Sequence, residues 1–146
     1  FSHHWVEPLA QVLKNLGSSH VMVVHSDDGM DEISIGSSAL VAELKAGQLS
    51  TYAISPEQFG MKRSDISLFT VESAQQSLDI INQVFQGEAG PACDIVALNA
   101  GAAIYVAGRA STLAVGVAKA QEVIASGAAK KKLADLVELS NKLRSS

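Results

Sequence analysis

The stretch from Gly90-Pro91 to Gly108 constrains this chain more than any other, because Ile95, Val96, Leu98, Ala102, Ile104, Tyr105 and Val106 leave a helix almost no polar face. A helix that is apolar nearly all round has to be buried. Pro91 suits a first helical position, where its missing N–H is not needed. The apolar run from Ile95 to Gly108 contains Asn99 and falls short of the roughly 20 residues needed to span a bilayer. It reads as a core helix. Gly101 and the alanines beside it admit close approach of another helix or sheet, which makes this helix the central support of the fold. With 146 residues and 47% hydrophobic content, the chain can bury one domain core around it.

The remaining elements follow from spacing. Trp5, Val6, Leu9, Ala10, Val12, Leu13 and Leu16 recur at helical intervals and Gly17 ends the run. That helix begins either near Glu7, with Pro8 in first position, or near Ser2 with a bend at Pro8. Val21-Met22-Val23-Val24 reads as a central strand covered on both faces. Ile33-Ser34-Ile35 alternates, and the runs 39–44 and 49–54 form a hairpin in which Gly47 supplies the positive φ. Glu57 to Phe69 has no clean period and reads as a long connection carrying Lys62-Arg63, a pair suited either to a phosphate or to solvent. Three more helices are predicted: one over Ala74, Leu78, Ile81, Val84 and Phe85 to Gly87, one capped by Ser111 and stopping at Gly127, and a last one with Leu133, Leu136, Val137 and Leu143 on one side. Lys130-Lys131-Lys132 opens the last helix, against the sense of the helix dipole. Strands first and helices after predict a mixed α/β or α+β unit, a mixed sheet with packed helices, and not a regular βαβ alternation.

Between the first strand and the hairpin lies His25-Ser26-Asp27-Asp28-Gly29-Met30-Asp31-Glu32, with four carboxylates in six residues. Crowded carboxylates repel and resist desolvation, so they require either water or a cation. Glu32 stands where a calcium loop needs Gly after Asp31, and no Cys or His has zinc-ligand spacing. Magnesium fits, since it takes one or two carboxylates and completes its shell with water and phosphate. An acidic surface turn fits equally well. His25 is either a general acid or base or a structural histidine bonded to the loop backbone. His3 and His4, about 100° apart on a helix, do not share a metal. The single Cys93 allows no internal disulfide, reads as a packing residue and fits a reducing compartment. A net charge of −4 gives no electrostatic reason for a nucleic-acid or membrane partner. No Walker loop, Gly-x-Ser-x-Gly elbow or dinucleotide fingerprint occurs.

The run from Val23 to Ser34 resembles the magnesium loop of the anthranilate phosphoribosyltransferase family, and the resemblance continues through 7–13, 59–63 and 94–108. It implies a nucleoside phosphorylase/phosphoribosyltransferase-type fold, of which 1–146 would be the C-terminal part of the larger α/β catalytic domain. It further implies transfer of a phosphoribosyl group from phosphoribosyl pyrophosphate to anthranilate, in tryptophan biosynthesis, with Mg2+ as cofactor. By residue-by-residue match Asp31 and Glu32 would hold the metal, with His25, Asp27 and Asp28 behind them. Ser26 stands where the family usually has Gly. The intact enzyme is expected to be a cytoplasmic homodimer.

The family's helical domain, pyrophosphate loop and anthranilate-contacting residues have no counterpart in these 146 residues, so the chain alone is predicted to be inactive and to self-associate through uncovered apolar surface. Phe1 in place of Met predicts missing upstream sequence and no recognisable signal peptide. A noncatalytic, transferase-like binding module is the alternative; retention of both Asp31 and Glu32 favours metal chemistry.

Overall fold

The computed structural model describes residues 2–144; Phe1, on which the expectation of missing upstream sequence rests, lies outside them with Ser145, Ser146 and the side chain of Phe69. A 3-10 turn, His3–Trp5, leads into helix α1, Val6–Asn15. Pro8 falls in the first turn, where a fixed φ and a missing donor cost nothing, so no bend is needed. Of the predicted apolar stripe only Val6 and Ala10 are buried, against Val23, Leu40, Ala42 and Leu49 of the sheet. Trp5, Leu9, Val12 and Leu16 remain exposed, with Leu16 76% accessible.

Strands β1 (His20–Ser26), β2 (Ala39–Lys45) and β3 (Gln48–Ile54) form an antiparallel sheet in the order β1-β2-β3. β1 is longer than expected and, among the described residues, is an edge strand rather than a central one; Val21 to His25 are half-buried. A continuous apolar run reports covered faces and says nothing about how many hydrogen-bonded neighbours a strand has. The register places Val24, Val41 and Tyr52 in line on one face, and Val23, Ala42 and Thr51 in line on the other, toward α1.

The β2–β3 turn uses two left-handed residues, Ala46 (φ 50°) and Gly47 (φ 78°). Two positive φ angles match a hairpin's twist, but the Cβ of Ala46 opposes the first of them. Ala46→Asn should therefore raise stability by about 0.5–1 kcal/mol. A urea midpoint that stays put or falls would show that the turn carries no such strain.

The long connection contains two 3-10 turns, Pro56–Phe59 and Ile66–Phe69. Buried Pro56 and Met61 anchor it to the core. Helix α2, Ala74–Phe85, starts where the Ser73 hydroxyl accepts Gln76 N–H at 3.2 Å; it buries Val84 and leaves Leu78 and Ile81 exposed. The predicted core helix is α3, Pro91–Val106. It packs on α4, Leu113–Ala125, and meets β1, and residues of both helices share one core cluster with Val41 and Ile54 of the sheet. The cap of α4 is Thr112, one residue beyond the predicted Ser111, because Thr112 is the extended residue whose hydroxyl reaches Val115 N–H at 3.2 Å.

Helix α5, Ala128–Arg144, buries no residue and packs chiefly on α4. Lys131 in its first turn reaches Asp135 at 3.1 Å, which gives part of that basic cluster a local partner. No described helix is long and apolar enough to cross a membrane.

Candidate functional site

The acidic loop leaves the end of β1 and is stitched to the fold through its backbone. Ser26, fully buried, donates its hydroxyl to Glu32 C=O at 2.7 Å and accepts Ser34 N–H at 2.9 Å. On the α3 side, Asn99 accepts Ile33 N–H at 3.0 Å and donates to Ile33 C=O at 2.9 Å, while also donating to Ile95 C=O at 3.0 Å. Side chains thus take the four backbone groups from Glu32 C=O to Ser34 N–H in place of a partner strand. This is why Ile33-Ser34-Ile35, buried and alternating, forms no strand. Gly29 (φ 85°) makes the turn, and its N–H returns to Ser26 C=O at 2.9 Å.

Asp28 serves the loop itself. Its carboxylate accepts the Ser34 hydroxyl at 2.5 Å and Met30 N–H at 3.2 Å. Its backbone N–H donates to the Ser37 hydroxyl at 3.2 Å. Asp27, Asp31 and Glu32 are exposed. His25 lies on the sheet face toward α1, paired with Leu40, its ring 6.3 Å from that of His3. Asn99 instead grips the loop from the α3 face. Arg63 donates to Glu57 at 2.7 Å and to the Ser38 hydroxyl at 3.0 Å, and lines an open cleft of about 380 Å³ with Asp28, Gly36 and Ser64. The guanidinium is anchored beside the loop, and Lys62 is exposed.

Among the described residues no group of three or more His, Cys, Asp or Glu side chains is gathered around a common point that could hold a metal. Asp31 and Glu32 therefore offer two hard oxygen donors and no closed cage. That donor set fits magnesium, whose remaining positions belong to water and phosphate oxygens, and does not fit zinc or a calcium loop.

One polar cluster was not foreseen from the sequence. Glu43 on β2, 8% exposed, accepts Tyr105 OH at 2.7 Å, Tyr52 OH at 2.7 Å and pairs with His20 Nε2 at 2.9 Å. Lys45 donates to Tyr105 OH at 2.9 Å. Burial works to raise the Glu43 pKa, yet the Tyr105, Tyr52 and His20 bonds outweigh it and hold the carboxyl below its ordinary range. Burial and the facing Glu43 push Tyr52 well up. A signal was present: a lone carboxylate at an inward position of the run 39–44. Cys93, half-buried with its thiol pushed up by burial, behaves as the packing residue expected.

Comparison with known proteins bears on what this scaffold is for. Residues 1–130 match the family model described as the glycosyl transferase family, a/b domain. The chain belongs to this family. Within this glycosyl transferase family it is 56% identical over 137 residues to the anthranilate phosphoribosyltransferase of Thioalkalivibrio sulfidiphilus, covering 94% of this chain and 40% of that protein. It is 48% identical to that of Methylococcus capsulatus over all 146 residues, 43% of the relative. The chain thus spans about two fifths of the curated relatives it matches.

Among solved structures, the anthranilate phosphoribosyltransferase of Thermus thermophilus superposes with a TM-score of 0.78 at 38% identity, over 87% of this chain and 37% of that one. The Saccharomyces cerevisiae enzyme in complex with PRPP and Mg superposes with a TM-score of 0.80 over 91% of this chain and 39% of that one; at 21% identity it speaks to the fold alone. The nucleoside phosphorylase/phosphoribosyltransferase-type α/β fold implied by the resemblance is the fold of this glycosyl transferase family chain.

Proposed function

We propose that the protein transfers the phosphoribosyl group of phosphoribosyl pyrophosphate to the amine of anthranilate, releasing pyrophosphate, as a step of tryptophan biosynthesis. The observation that carries this reading is the 56% identity to a curated anthranilate phosphoribosyltransferase across 94% of the chain. In this reading residues 1–146 are the C-terminal part of the catalytic domain, inactive without the remainder, and the intact enzyme is a homodimer.

Asp31 and Glu32 hold magnesium, a role supported by their exposure, their oxygen donors and the backbone stitching of the loop around them. Magnesium supplies neutralisation of the charge that builds on departing pyrophosphate. The two carboxylates would be its protein ligands, leaving room for water and phosphate oxygens. Asp28 keeps the loop folded, Asn99 holds the backbone of Ile33, and Ser26 holds the residues on either side of it.

The test is the double variant Asp31→Asn/Glu32→Gln in the intact enzyme that contains residues 1–146. Turnover at ordinary magnesium should fall by about 100-fold, with the response to added magnesium flattened. Turnover and magnesium dependence equal to the natural protein would overturn the assignment.

A further inference from the structure

Four consecutive backbone polar groups at the metal loop, Glu32 C=O, Ile33 N–H, Ile33 C=O and Ser34 N–H, are each bonded to a side chain from elsewhere in the fold. Two of the four belong to one residue, Asn99. Its carboxamide uses the oxygen for Ile33 N–H and the nitrogen for Ile33 C=O, and the second amide hydrogen goes to Ile95 C=O one turn back on α3. That third bond fixes which way the amide faces, so the two-point contact with Ile33 is held in register by the helix itself. Neighbouring Ala97, Leu98 and Gly101 are buried, so α3 gives the loop a packed platform. Asp31 and Glu32, by contrast, are exposed.

Building on the metal reading of Asp31 and Glu32, we propose that Asn99 is a positioning residue for that site, clamping the Ile33 backbone to α3 so that the two carboxylates are presented in one arrangement before the cation arrives. Two ligands on a loop free to wander bind only after the loop is ordered, and an ordered loop spares that loss. Ser26 closes the clamp from the β1 side, on the residues flanking Ile33. A side chain that merely satisfied its own hydrogen bonds would affect stability and leave metal affinity unchanged.

The experiment compares the natural intact enzyme with its Asn99→Ala and Asp31→Asn/Glu32→Gln variants. Binding of Mn2+ in the presence of inorganic pyrophosphate is followed by electron paramagnetic resonance, hydrogen exchange by mass spectrometry of the peptide spanning 31–35, and turnover as a function of magnesium. Asn99→Ala should weaken Mn2+ half-saturation by about tenfold. It should also speed exchange at Ile33 and Ser34 and raise the magnesium needed for half-maximal turnover, with kcat at saturating magnesium little changed. A purely structural lesion would lower kcat or the folded fraction without moving the half-saturation.

If Asn99→Ala does not fold, Asn99→Asp, which has the same size and keeps an acceptor for Ile33 N–H, is read by the same criteria. Unchanged Mn2+ half-saturation in a folded Asn99 variant, with binding lost in Asp31→Asn/Glu32→Gln, overturns the clamp and leaves the metal assignment standing. Retained Mn2+ binding in the double acidic variant overturns both.

Discussion

Gly101→Leu in the full chain should abolish the native fold, and Gly101→Ala should cost about 3 kcal/mol or more. On helix propensity alone the alanine change is favourable by about 1 kcal/mol. Packing reverses the sign. A Cβ on Gly101 would stand 2.5 Å from the Cα of Val117 and 2.6 Å from its N; one on Gly116 would stand 2.3 Å from the Gly101 carbonyl oxygen. These obstacles are backbone atoms, which no rotamer change can move aside. The α3–α4 crossing would have to open, exposing Leu98, Val117 and Ala120, all buried at the seam. Gly116→Ala should behave alike, since each glycine faces the other helix's backbone. Urea unfolding and near-ultraviolet circular dichroism read the outcome. A Gly101→Ala protein as stable as the natural one would mean that the two helices are not held at this separation.

This contact shows how far the sequence carries. Gly101 stood out because it interrupts a helix otherwise full of apolar side chains, and close approach was its evident use. Gly116 did not stand out; it lies in a helix where only the partner's position gives it meaning. The same limit applies to β1 and α1. A continuous apolar run identified β1 and helical spacing identified α1, but the number of strands beside Val21–Val24, and the exposure of Trp5, Leu9 and Val12, depend on tertiary neighbours. Turn chemistry was more local and more legible: Gly47, Gly87, Gly127 and Pro91 all sit where their backbone freedom or restriction places them. Thr112 displaced Ser111 as a cap because two hydroxyl residues in sequence are equivalent until one of them takes the extended conformation.

The acidic loop was legible as a cluster and illegible as a construction. Four carboxylates on a strand end announce a demand for cation or water, but they do not reveal that Asp28 is tied to Ser34, or that Asn99, sixty-six residues from Ile33, holds the backbone. A mid-helix asparagine reads as an interruption of an apolar run until its partner is known. His25 illustrates the converse. Its place beside the carboxylates in sequence becomes, in the strand, a place on the face toward α1. Alternation along a strand separates neighbours that a loop would have kept together.

Glu43→Leu should destabilise the protein by about 3–5 kcal/mol at neutral pH, even though leucine is apolar and the site is buried. The cost arises from what is left behind. Tyr105 and Tyr52 lose the acceptor for their hydroxyls, and His20 loses its carboxylate partner, all of them linking β1, β2, β3 and α3 at one point. Glu43→Gln, which preserves shape and one acceptor, should cost less, about 1–2 kcal/mol. The pH dependence separates charge from packing. The folded carboxyl titrates below its ordinary value of 4.5, so its ionised form contributes stability that is fully present above that value and is lost as pH falls through the lower, folded one. The stability gap between the natural protein and Glu43→Leu should therefore narrow on acidification below about pH 4.5, as read by urea midpoints across that range. A gap that keeps its neutral-pH size in acid would assign the contribution of Glu43 to the volume it fills, because protonation removes the charge and leaves the shape.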